Sequence, residues 1–177
     1  MRQPQTIWFF VVGVTLLAGW VDFRTHKIPN WLTVPAFFLA LGLRTAVSGW
    51  SGAEASLLGA ALALVLLLPL VLMRALGAGD WKLMGAVGAF LGPVLFLFVL
   101  LGSFLVSGLM AIVEMMRTKR VRETFHNLGV LVQGFFSFGL RTNPEISLDN
   151  PALLKLPFGV AAAISTLICF CAARWGL

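Results

Sequence analysis

The sequence has no tyrosine, two cysteines and only 7 acidic residues. Charged residues make up 11% of the chain, whereas soluble domains carry roughly 25%. With 59% hydrophobic residues and a mean hydropathy of +0.95, that scarcity excludes a soluble globular domain and indicates an integral membrane protein. No polar stretch is long enough to hold a core of its own. Cys169 and Cys171 lie two apart in the last apolar segment, a spacing that does not face on a helix. They read as small core residues, and the lack of any Cys-x-x-Cys pair excludes a zinc knuckle. His26 and His126 stand alone, so neither a metal nor another cofactor is expected.

Net charge is +6. The basic residues are scattered among apolar segments, with no aromatic-interleaved face to grip a polymer, so nucleic acid is not an expected partner. They fit loops that flank a lipid bilayer.

A membrane helix needs about 20 apolar residues. Candidates run over about Thr6–Val21, Trp31–Val47, Ser56–Met73 (with Pro69 as a kink), Trp81–Leu91, Val94–Met115 and Leu156–Ala173. The first reads as a membrane helix, because no small-x-small cleavage site stands around Leu17-Ala18-Gly19-Trp20. The stretch Leu83–Met116 would extend about 51 Å as one helix, too long for a simple span. Gly92-Pro93 is its natural break. The expectation is an all-α polytopic protein, one domain over residues 1–177, with about six spans and the N-terminus outside.

Charge supports that count. With the N-terminus outside, Arg24, Lys27, Arg74, Lys82, Arg117, Lys119, Arg120, Arg122, Arg141 and Lys155 fall inside, against Arg2, Arg44 and Arg174 outside. Fusing the fourth and fifth helices would move the basic loop of about 117–155 to the wrong face. Within that loop, Leu128–Leu140 is apolar and Phe-rich, which suits an interfacial helix or a poorly formed seventh span.

Two aspartates stand at the inner edge of this arrangement. Asp22 closes the first helix and Asp80 opens the fourth. An ionisable side chain beside lipid is expensive and is a functional candidate by default. Each also has a plain structural reading: Asp22 as a turn residue paired with Arg24, Asp80 as a helix N-cap after Gly77 and Gly79. At a helix C-terminus the dipole disfavours Asp22, which tilts that residue towards function. Two carboxylates about 3 Å apart share one proton. One then draws a proton from water while the other polarises a scissile carbonyl. Gly77 and Gly79 lack Cβ atoms and would let a substrate backbone approach. Lys82 would stabilise a carboxylate or contact substrate, or else anchor the helix; Arg24 and Lys27 flank Asp22 as further support candidates. His26 tunes Asp22, binds an acidic residue of a substrate, or is simply an interfacial basic residue, and Glu114 is expected to pair with a loop arginine.

The run Gly77-Ala78-Gly79-Asp80-Trp81-Lys82-Leu83-Met84 resembles the Gly-x-Gly-Asp region of the type IV prepilin leader peptidases. Asp22 through Ile28-Pro29-Asn30 is similar to that family's first aspartate motif, and Lys155-Leu156-Pro157-Phe158-Gly159 to its Pro-Phe/Tyr-Gly entry to the last helix. The motifs follow the family's order. The resemblance implies a catalytic pair, Asp22 and Asp80, with support from Pro157. It also implies an aspartyl endopeptidase of the bacterial inner membrane, removing prepilin or pseudopilin leaders on the cytoplasmic side. Larger members carry four cysteines in a cytoplasmic domain and N-methylate the new pilin end. Lacking these, the chain resembles the short peptidases of Flp/Tad pilus systems, and methyl transfer is not implied. Presenilins and signal peptide peptidases share Gly-x-Gly-Asp, but their other aspartate follows a tyrosine. Pro151-Ala152-Leu153 matches their tripeptide only as a chance would. Two other classes stay open: a non-catalytic scaffold of a pilus or secretion apparatus, and a small transporter subunit, which would want acids nearer mid-membrane.

Overall fold

The structure, a computed structural model, describes residues 4–118 and 157–175. These form four helices: α1 (Gln5–Thr25), α2 (Asn30–Leu72), α3 (Ala78–Thr118) and α4 (Phe158–Trp175). All four are long and apolar enough to cross a membrane. The all-α expectation therefore holds, but the segmentation differs. The second and third expected helices form one element, and so do the fourth and fifth. Most of the loop expected over about 117–155, with Leu128–Leu140 and His126, lies outside the described residues. Arg117 and Thr118 still belong to α3.

Each long helix is broken at one glycine. Gly92 takes φ 75° and ψ 175°, just before Pro93, which is the break expected there. In α2 the break is Gly49, with φ 61° and ψ −143°. Glycine meets no Cβ penalty at positive φ. The chain reverses at Gly49: a Cβ on Gly52 would strike the carbonyl oxygen of Arg44, although eight residues of straight helix would separate them by about 12 Å. Pro69, expected as a kink, keeps helical dihedrals, and so does Pro35.

The first half of α3 is the axis of the bundle. Every residue from Leu83 to Gly92 is buried, as a helix apolar on all sides must be. It packs antiparallel to the second half of α2, Gly85 against Leu64 and Gly88 against Gly59. A Cβ on either Gly59 or Gly88 would meet the other's carbonyl oxygen. Small residues at such contacts let membrane helices approach until their backbones touch. The second half of α3 runs beside α4, with Phe104 near Phe158 (5.9 Å between rings) and the Ser165 hydroxyl donating to the Val99 carbonyl (2.7 Å). α4 lies antiparallel to α1: Gly19 faces Gly159 and Ala163 at one end, and Trp8 and Phe9 meet Phe170 at the other.

Outside, the bundle is oily. Large apolar side chains such as Phe38, Val65, Leu105 and Leu109 are exposed, while much of the core is alanine and glycine. Trp20 and Trp31 are exposed at the aspartate end, Trp50 and Trp175 at the opposite end. Indoles at both ends of an apolar barrel match two membrane interfaces.

Candidate active site

Asp22 sits in the last turn of α1, and His26 follows at the helix end with φ 48°, its N–H donating to the Asp22 carbonyl (2.8 Å). Asp80 lies in the first turn of α3. Residues Lys27 to Pro29 join α1 to α2 without helix and turn inward, so that Ile28 is buried. The backbone of Ile28 lies against Gly79, with its carbonyl oxygen 2.8 Å from where a Cβ would stand, and its side-chain tip lies against Gly159. This short connection thus joins the starts of α3 and α4, and the two aspartates come within electrostatic reach of one another.

Their surroundings differ. Asp22 is 5% exposed. Its Oδ2 accepts a hydrogen bond from the backbone N–H of Gly159, at the entry to α4 (2.8 Å). Asp80 is half-buried, and its Oδ1 is buried with no hydrogen-bond partner among the described residues. A buried oxygen in that condition is costly unless something else comes to meet it.

The sequence candidates fall into three groups. Asp22, Asp80, Gly77, Gly79 and Pro157 stand together. Asp80 is not an N-cap: it is the third helical residue, and its Oδ2 folds back to 2.8 Å from the open side of Gly77. The room beside the glycines is therefore taken by Asp80 itself at Gly77 and by Ile28 at Gly79. Pro157 precedes α4 and its carbonyl accepts from Val160 (3.1 Å), which sets the start of that helix.

Lys82 is near the pair but turned elsewhere, its ammonium donating to Asn30 Oδ1 (3.0 Å). Arg24 does not pair with Asp22 as its structural reading had it; its guanidinium lies over the Trp20 ring, 4.6 Å from the centroid. Lys27 is exposed on the connection. Glu114 pairs with Arg117 at 3.7 Å, as expected.

Three residues of the site were missed as structural parts of it: Ile28, Trp81 and Gly159. The Trp81 indole donates to the Leu64 carbonyl (2.8 Å), fastening the residue after Asp80 to α2. A tryptophan beside an acid at a helix start was a visible signal. The contact of Gly159 with Asp22 spans 137 residues, and no local pattern announces it. Among the described residues, no cluster of three or more His, Cys, Asp or Glu is placed to hold a metal.

Two carboxylates thus stand within electrostatic reach at one end of an apolar bundle, one tied down by a backbone N–H and one with an oxygen unpartnered among the described residues. The family model described as "Type IV leader peptidase family" matches residues 9–112, more than half of the chain. The matched stretch takes in both aspartates and ends before α4. Neither the curated proteins nor the solved structures gave a match.

Proposed function

Because this chain belongs to the type IV leader peptidase family, we propose that it is an aspartyl endopeptidase whose catalytic pair is Asp22 and Asp80. Its substrate class is a type IV prepilin or pseudopilin, of the Flp-like kind. It removes the short basic leader at the cytoplasmic face of the bacterial inner membrane. The chain crosses six times, with each broken helix crossing twice and the N-terminus outside. No methyl-transfer activity accompanies the cleavage.

The observation that carries this reading is the unpartnered, buried Oδ1 of Asp80 within electrostatic reach of Asp22. In the reaction, one carboxylate takes a proton from water as the water oxygen bonds to the scissile carbonyl carbon. The other carboxyl gives its proton to the carbonyl oxygen. Collapse of the tetrahedral species breaks the C–N bond, and the leaving amine takes up a proton from the pair. Gly77, Gly79 and Pro157 shape the ends of α3 and α4 around the acids; Arg24, Lys27 and Lys82 present positive charge at the same end, where they orient substrate or lipid.

Co-expression with a candidate prepilin tests this. Leader removal, read as a gel shift, is expected for the native chain and lost in Asp22→Asn and Asp80→Asn. Full processing by either variant would sink the dyad and favour a non-catalytic scaffold.

A further inference from the structure

The contact that the leader-peptidase reading leaves unexplained joins α1 to α4. Gly159 is the second residue of α4. The first N–H groups of a helix have no partner within it, and that end carries positive dipole charge. Here the Gly159 N–H donates to Asp22 Oδ2 at 2.8 Å. The fit around this glycine is also tight. A Cβ at position 159 would stand 3.0 Å from both Asp22 Cβ and Asp22 Oδ2, and 3.2 Å from the tip of Ile28. Ile28 in turn presses its backbone on Gly79, next to Asp80. One main-chain group thus fixes the direction of the Asp22 carboxylate, while buried Ile28 fixes its distance from α3.

Among the described residues, Asp80 has no matching support. Its Oδ1 is buried with no partner there, and its Oδ2 folds over Gly77. An acceptor-only group suits a site with a fixed donor and a helix N-terminus; a group that must donate suits a site that offers it no donor.

We propose that Gly159 is a positioning residue: its backbone N–H holds Asp22 as the carboxylate that takes the proton from water, and so leaves Asp80 as the member that donates to the scissile carbonyl. This deepens, and rests on, the peptidase reading of the same site. The water proton passes to Asp22, hydroxide oxygen bonds to the carbonyl carbon, and the proton of Asp80 passes to the carbonyl oxygen. When the C–N bond breaks, the proton held by Asp22 goes to the amine, and the carbonyl oxygen returns its proton to Asp80. The pair ends as it began.

The test replaces the amide at residue 159 by an ester. Glycolic acid at that position removes the N–H and adds no side chain. The full chain is made by cell-free synthesis into lipid nanodiscs. The substrate is a synthetic peptide with a short basic leader ahead of an apolar helix. The ester chain is expected to lose about 10- to 100-fold in kcat with KM unchanged, as one hydrogen bond to a charged group is removed. Gly42→Ala, at a position where a Cβ meets nothing within 4 Å, keeps native kinetics. Asp80→Asn, which retains a donor, keeps turnover at least about 10-fold above Asp22→Asn, which has no base. A thermal melt of each chain separates folding from chemistry. An ester chain with native kcat per folded molecule, a loss confined to KM, or an Asp22→Asn variant as active as Asp80→Asn overturns the proposal. If both Asn variants cleave like the native chain, the peptidase reading itself fails. If both are impaired and the ester chain is not, only the role of Gly159 fails.

Discussion

The bundle buries charge at both ends and treats the two cases differently. At one end Arg44 is 8% exposed, and its Nη1 donates to the Phe90 carbonyl at 2.9 Å. Phe90 lies in the last turn before the break at Gly92, where helix carbonyls lose their onward partners. Arg44 supplies a donor and a positive charge at a helix C-terminus, where both are favoured. Its Nε, however, is buried without a hydrogen-bond partner among the described residues. At the other end, Asp22 and Asp80 lie within electrostatic reach of each other, and one oxygen of Asp80 is unpartnered among the described residues. Among the described residues no contact accounts for that oxygen. An orphaned atom is thus common to both ends; what separates them is that Arg44 meets a helix carbonyl its charge suits, whereas each aspartate meets a like charge.

Mutation should separate the two ends. The largest effect is expected at the acids. Asp22→Asn and Asp80→Asn should each lower leader cleavage by roughly 100- to 10,000-fold, while the thermal midpoint in detergent falls little or rises. A large fall in midpoint with little change in cleavage would make the acids structural and erase the contrast. Next comes Arg44→Met, which leaves the Phe90 carbonyl without its donor. A loss of about 1–3 kcal/mol of stability is expected from denaturant unfolding followed by tryptophan fluorescence. Cleavage per folded molecule should persist; if it vanishes while the fold survives, the two ends are coupled. Trp81→Phe removes only the indole N–H donated to Leu64, so about 0.5–1.5 kcal/mol should be lost. Because Trp81 adjoins Asp80, kcat is also expected to drop several-fold, measured against the unfolding shift of the same sample. Least is expected from Lys82→Met. Its hydrogen bond to Asn30 is exposed, and the stability change should stay below about 1 kcal/mol by the same unfolding assay.

The acids were legible because they are local exceptions in an apolar chain, and motif order named the family. The break at Gly92 was also legible: Gly-Pro and the charge of the following loop both demanded it. The reversal at Gly49 was expected as a loop between Val47 and Ser56, yet one residue makes it. Its position depends on Gly52 meeting the backbone of Arg44, a contact invisible in local composition. Arg44 itself read as an outside charge. Its true partner, the Phe90 carbonyl, exists only because of a break in a different helix. Ile28 and Gly159 escaped for the same reason: their work is to touch elements far away in sequence. What a single sequence shows well is expensive residue types; what it hides is which distant backbone atom answers them.

The tie between Asp22 and Gly159 also sets a clock. The two residues are 137 positions apart, and a ribosome adds roughly 5–20 residues per second. For roughly 7–30 s after Asp22 is made, its carboxylate has no Gly159 to meet. The site therefore cannot close until the last helix has entered the bilayer. A truncated or half-inserted chain would carry both acids without the group that aims one of them, so competence to cut arrives together with completion of the bundle.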